Sequence, residues 1–213
     1  MRLGGLPALL AGLTLQVAAA GLGDTPDTRD STEQIAAYFD DHRTEVFVSV
    51  VLFTLAALLL GWFAVRVRDR LADGGYPELG TVALVGTMLG LAVLMAGVVL
   101  MYAALSYVVG SEAPDSAKAL FELTLVATPV LALPLATLPG AAAWAVLRAG
   151  VAPRWFGALS TVAAVLLAIP SVGFARSGFL SPDVGQQVLF ATLSIWLVVA
   201  GLLWPAPPEV RPA

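Results

Sequence analysis

His42 is the one histidine of the chain, and it follows two carboxylates, Asp40 and Asp41. Imidazole beside carboxylates is ligand chemistry for a divalent metal. Consecutive residues of a helix point in different directions, however, so these three side chains cannot grip one ion without ligands from elsewhere. A solvated membrane edge is the expected setting. A second acidic series, Asp24, Asp27, Asp30 and Glu33, lacks the glycine turn and ligand spacing of a calcium loop and reads as a hydrated surface. With a single histidine and no cysteine, neither a Ser-His-Asp triad nor an H-E-x-x-H zinc site can be assembled, and disulfide and thiolate chemistry are excluded. Phosphate-cradling glycine loops are missing as well. The sequence argues against an enzyme, and no cofactor or resident metal is expected.

The remaining polar cluster that could hold a ligand is Glu122, Thr124, Thr128 and Pro129. The missing amide of Pro129 frees the carbonyl of Leu125 four residues earlier. A carboxylate, two hydroxyls and a free carbonyl within two helical turns could receive a cationic or hydrogen-bonding headgroup. The competing expectation is that Glu122 anchors a helix end at headgroup level.

These residues sit in a chain of 213, of which 59% are hydrophobic and only 12% charged. So few polar side chains cannot cover a water-facing surface, which excludes a soluble domain. Charges are segregated between long continuous apolar runs, and about 20 helical residues cross a bilayer core of about 30 Å. A membrane β-barrel would alternate polar and apolar residues instead. The sequence therefore predicts an all-α polytopic bundle forming a single membrane domain over 1–213. Its six spans are 3–22, 46–65, 79–109, 119–147, 155–175 and 188–204. The first also resembles a cleavable signal peptide, which would leave five.

Orientation follows from the basic residues. With Arg2 inside, the inner segments hold Arg2, Arg66, Arg68, Arg70, Arg148, Arg154 and Arg211, against Arg29, Arg43, Lys118 and Arg176 outside. This seven-to-four excess places both termini in the cytoplasm. Trp62, Trp144, Trp155 and Trp204 fall at the same interface, where amphipathic indoles belong, and Tyr102 and Tyr107 mark the other; Trp196, inside a span, is expected to pack. These few basic residues are accounted for by topology, so nucleic acid is not an expected partner.

Ser31 followed by Gln34 fits a capping box, and Ile35, Tyr38 and Phe39 then share a face while Asp40 and Asp41 point away. A short amphipathic helix, 31–43, should run into the second span. Gly86 and Gly90 form a G-x-x-x-G pair with Gly97 two turns on, a groove that a neighbouring helix can approach closely. Packing inside the bundle is the expected use, and a homodimer or partner-protein face the alternative. In the fourth span Pro129, Pro134 and Pro139 each remove a helical hydrogen bond, which predicts a kinked or broken helix. Discontinuous helices line transporter sites, but no span carries a charge near its centre, as ion coupling would lead one to expect.

The segments Ile35-Ala-Ala-Tyr-Phe-Asp-Asp-His-Arg43 and Pro153-Arg-Trp-Phe-Gly157 resemble those of a broad group of uncharacterised multi-helix membrane proteins of high-GC bacteria. That resemblance implies a bacterial membrane bundle and carries no activity. The expected function is a non-enzymatic membrane protein that binds a partner protein or lipid, with a small-molecule transporter or permease using the fourth span as the alternative.

Overall fold

In the computed structural model, which describes residues 4–26, 29–109, 114–173 and 181–204, helix dominates and no strand occurs among the described residues. The helices are α1 (Leu6–Gly21), α2 (Thr32–Asp41), α3 (Arg43–Asp73), α4 (Pro77–Leu94), α5 (Leu100–Ala104), α6 (Pro114–Ala149), α7 (Arg154–Ala168) and α8 (Pro182–Leu203). One π turn, Met95–Val99, joins α4 to α5 and another, Leu105–Val109, follows α5, so α4 and α5 make one rod. Five helical rods are long and apolar enough to cross a membrane; the chain is a multi-pass membrane protein.

The first span is shorter than the sequence suggests. Helix α1 has 16 residues, which at about 1.5 Å each rise only about 24 Å, less than the bilayer core of about 30 Å. It is nonetheless a full member of the bundle, wedged between α3 and α8. The other spans continue the ring: α3 packs on α4, α4 on α6, α6 on α7, and α7 on α8. Helix α6 also reaches α8, α3 and α2 and is the most buried of the spans. Its buried alanines, among them Ala132, Ala136, Ala142 and Ala145, let neighbours come close, which is how helices associate where lipid removes the hydrophobic driving force.

Pro129, Pro134 and Pro139 lie inside α6, yet the helix runs unbroken from Pro114 to Ala149. No break occurs: helices packed along the buried face of α6 hold it together where the proline amides are missing.

Gly86, Gly90 and Gly97 all face α6. A Cβ on Gly86 would meet Thr137 Cγ2 at 2.9 Å, one on Gly90 would meet Leu135 Cγ at 2.7 Å, and one on Gly97 would meet Ala127 Cβ at 2.5 Å. This face is filled within the chain and is not open to a second copy. The tightest backbone approach lies elsewhere, between α1 and α8. There a Cβ on Gly5 would meet Gly201 Cα at 2.8 Å, one on Gly201 would meet Leu9 Cα at 2.6 Å, and one on Gly12 would meet the Ser194 carbonyl oxygen at 2.8 Å.

The interfacial residues are placed in part as expected. Trp62, Trp144 and Trp155 are exposed, with Arg66 over the Trp62 ring and Arg148 over the Trp144 ring. Trp204 is buried instead, edge-on to Phe63. Trp196 is packed as expected: it stacks on Phe156, and its indole N–H donates to Ser160 Oγ at 2.9 Å. At the opposite end Tyr107 is exposed beneath Arg43, but Tyr102 is a core residue.

Candidate ligand cavity at the α2 end of the bundle

Helix α2 begins as the sequence demands. Gln34 N–H donates to Ser31 Oγ at 3.3 Å, and Ser31 N–H donates to Gln34 Oε1 at 2.8 Å, closing the capping box. Hydrogen bonds from its own backbone amide and from Ser31 hold the exposed Glu33 carboxyl below its ordinary range. The helix stops at His42, whose backbone leaves helical geometry before α3 starts, so α2 abuts α3 without running into it. Its apolar face, Ile35, Ala36 and Phe39, is buried. Phe39 meets both Tyr102 and Phe121, and the Tyr38 hydroxyl donates to the Leu22 carbonyl. Burial, with Tyr102, Glu45 and Asp24 nearby, pushes the Tyr38 phenol up to about 12.

His42 stacks on Tyr38 and its Nδ1 lies 3.1 Å from the Tyr38 carbonyl oxygen. Asp40 and Asp41 are exposed. Among the described residues no three His, Asp or Glu side chains stand close enough to share a metal ion. Asp27 lies outside the described residues.

The Glu122 cluster divides between two faces of α6. Glu122 is exposed on the outside of the bundle, whereas Thr124 and Thr128 are buried with Pro129. Carboxylate and hydroxyls therefore do not converge: residues two positions apart on a helix point to different sides. Thr124 donates to the Phe121 carbonyl at 2.7 Å.

A cavity of about 440 Å³ is enclosed by α1, α3, α5, α6 and α8 beneath the α1–α2 connection. Its depth is formed by Phe53, Phe121, Leu125 and Tyr102, all buried. Phe190 of α8 meets Phe53 at 5.5 Å and completes an aromatic wall. Polar groups come from α1 and α8. Gln16 Nε2 donates to Ser194 Oγ at 2.6 Å, and Ser194 passes its own proton to the Phe190 carbonyl at 2.6 Å. Gln186 and Gln187 lie on the same wall. Cavities of a few hundred Å³ that combine an apolar wall with a few convergent polar groups are the usual form of a small-molecule site.

The π turns on either side of α5 help to place this site. Each inserts a residue into the helical repeat and shifts the faces beyond it, a feature concentrated at functional sites. Tyr102 lies between them and reaches the cavity in place of the interface.

Gln16, Gln186, Gln187, Ser194 and Tyr102 were not foreseen as a site. The available signal was Gln16, the one amide side chain in α1. Compared with protein-family models, curated proteins and solved structures, the chain matches none.

Proposed function

We propose that this chain is a non-enzymatic protein of the bacterial cytoplasmic membrane that holds a lipid in the cavity between α1, α3, α5, α6 and α8. The observation that carries this reading is the pairing of a buried aromatic wall with the Gln16–Ser194 hydrogen bond and the Gln186 and Gln187 amides in one space of about 440 Å³. An acyl chain needs the first, and a lipid head needs the second. The lack of nucleophilic and acid–base machinery in the sequence supports a binding role over a catalytic one. Both termini are assigned to the cytoplasm on the seven-to-four excess of basic residues, and the Arg–Trp pairs at the end opposite α2 agree with it. The resemblance to membrane proteins of high-GC bacteria supplies the compartment.

A transport role would have drawn on a broken α6. The helix is continuous, and none of its three prolines lines the cavity, so the binding reading is preferred. The test is purification in polymer-excised native membrane discs followed by lipid mass spectrometry, beside Ala19→Phe, which fills the cavity. Retention of one lipid class above its share in the membrane, lost in the variant, supports the proposal. Identical lipid profiles for both proteins refute it.

A further inference from the structure

The way α1 and α8 meet defines how a ligand reaches the cavity. Their closest approaches, Gly5 to Gly201, Leu9 to Gly201, and Gly12 to Ser194, all fall on one side of Gln16. From Gln16 onward, toward the α2 end, the two helices line the cavity through Gln16 and Ala19 on one side and Gln187 and Ala191 on the other. Gln16, Gln187 and Ala191 are exposed, while Leu15, Tyr102 and Phe121 behind them are buried. The cavity therefore has exposed lining between α1 and α8, and at Gly23 and Thr25 of the α1–α2 connection, and a depth inside the bundle.

No charged side chain lines this cavity among the described residues. Its polar groups can be counted. Ser194 gives its proton to the Phe190 carbonyl, so it accepts from Gln16, and Gln16 keeps its Oε1 acceptor and one N–H donor. Gln186 and Gln187 of α8 also line the cavity, each with an amide oxygen acceptor and amide N–H donors. The site thus offers the amide acceptors and donors of Gln16, Gln186 and Gln187 without a counter-charge. An ion brought here would leave water with nothing to compensate it, at a cost far above that of a neutral polar group.

We infer that the ligand is an uncharged membrane amphiphile whose head both donates and accepts hydrogen bonds, entering sideways between α1 and α8, with Gln16 and Gln186 determining its specificity. This rests on the lipid-binding reading above. Hydroxyl-bearing glycerolipids and long-chain amides or alcohols have this chemistry; phospholipids with an ionised head do not.

The test uses the full chain in phosphatidylcholine nanodiscs and three photoactivatable probes with the same diazirine acyl chains: a diacylglycerol, a phosphatidic acid and a long-chain quaternary amine. Crosslinked peptides are located by mass spectrometry. The diacylglycerol should label the segments 15–22 and 186–194 at least tenfold above the two charged probes. Gln16→Leu should lower that labelling about tenfold, the equivalent of one hydrogen bond, while the melting temperature is kept. Gln186→Leu supplies the same reading should the first variant fail to fold. Millimolar free glycerol should not compete; competition would make the ligand a soluble polyol and overturn the membrane entry. Equal labelling by phosphatidic acid or the amine would overturn the neutral-head inference while leaving lipid binding intact. Absence of labelling by all three probes would overturn both.

Discussion

Gly201→Ala adds a single methyl group where α8 meets α1, and the structure fixes what it must displace. The new Cβ would lie 2.5 Å from Leu9 Cβ and 2.6 Å from Leu9 Cα, against the 3.5–4.0 Å at which carbon atoms pack best. A backbone cannot swing aside as a side chain can, so α1 and α8 must separate by about 1 Å, and a gap of that size forfeits a quarter to a half of each dispersion contact along the seam. Overpacking of this kind costs about 1–3 kcal/mol. The control is Gly140→Ala in α6, where the new Cβ meets only Ala164 Cβ at 3.9 Å, an ordinary contact. There the better helix propensity of alanine is unopposed, and stability should hold or rise by up to about 1 kcal/mol. Reversible unfolding in mixed micelles by titration with a denaturing detergent measures both. The expected result is a lower midpoint for Gly201→Ala and an unchanged or higher one for Gly140→Ala. Equal midpoints would refute the claim that α1 is seated on α8 by backbone contact, and with it the place of α1 in the wall of the cavity.

Single cysteines at Ser31 and Gly74 should react with an impermeant reagent in intact cells only at position 31; labelling of both would refute the assigned orientation. Glu122→Gln should leave co-purified lipid unchanged, since Glu122 faces away from the cavity; loss of the lipid would return the ligand to the outer face of α6. Ser31→Ala removes the side-chain half of the capping box and should cost about 0.5–2 kcal/mol, read as faster amide exchange across α2. The neutral Tyr38 phenol is favoured in the folded state, where it titrates near 12, against about 10 when unfolded. Its contribution is therefore complete below pH 10 and lost as pH rises through 12. Loosening of α2 over that window should be visible by amide exchange and absent in Tyr38→Phe.

The membrane class of this protein is written in composition and charge spacing. Apolar runs of bilayer length between charged segments permit only spanning helices, and the third to sixth spans fall close to α4–α5, α6, α7 and α8. The capping box of α2 was equally legible, because Ser31 and Gln34 act on each other within one turn. Gly86, Gly90 and Gly97 lie against α6, but the tighter seam between Gly5, Gly12 and Gly201 joins residues nearly 200 positions apart, and no local pattern pairs them. Glu122 looked like part of a site because its neighbours are polar, yet the direction of a side chain depends on which face of α6 the other helices cover. Gln16 and Ser194, 178 positions apart, meet only because α1 and α8 become neighbours in the ring. Sequence alone settles which segments must leave water, since that depends on each segment's own side chains. Which polar groups then face one another in a cavity is decided by helix contacts distant along the chain, and those exist only in the tertiary structure.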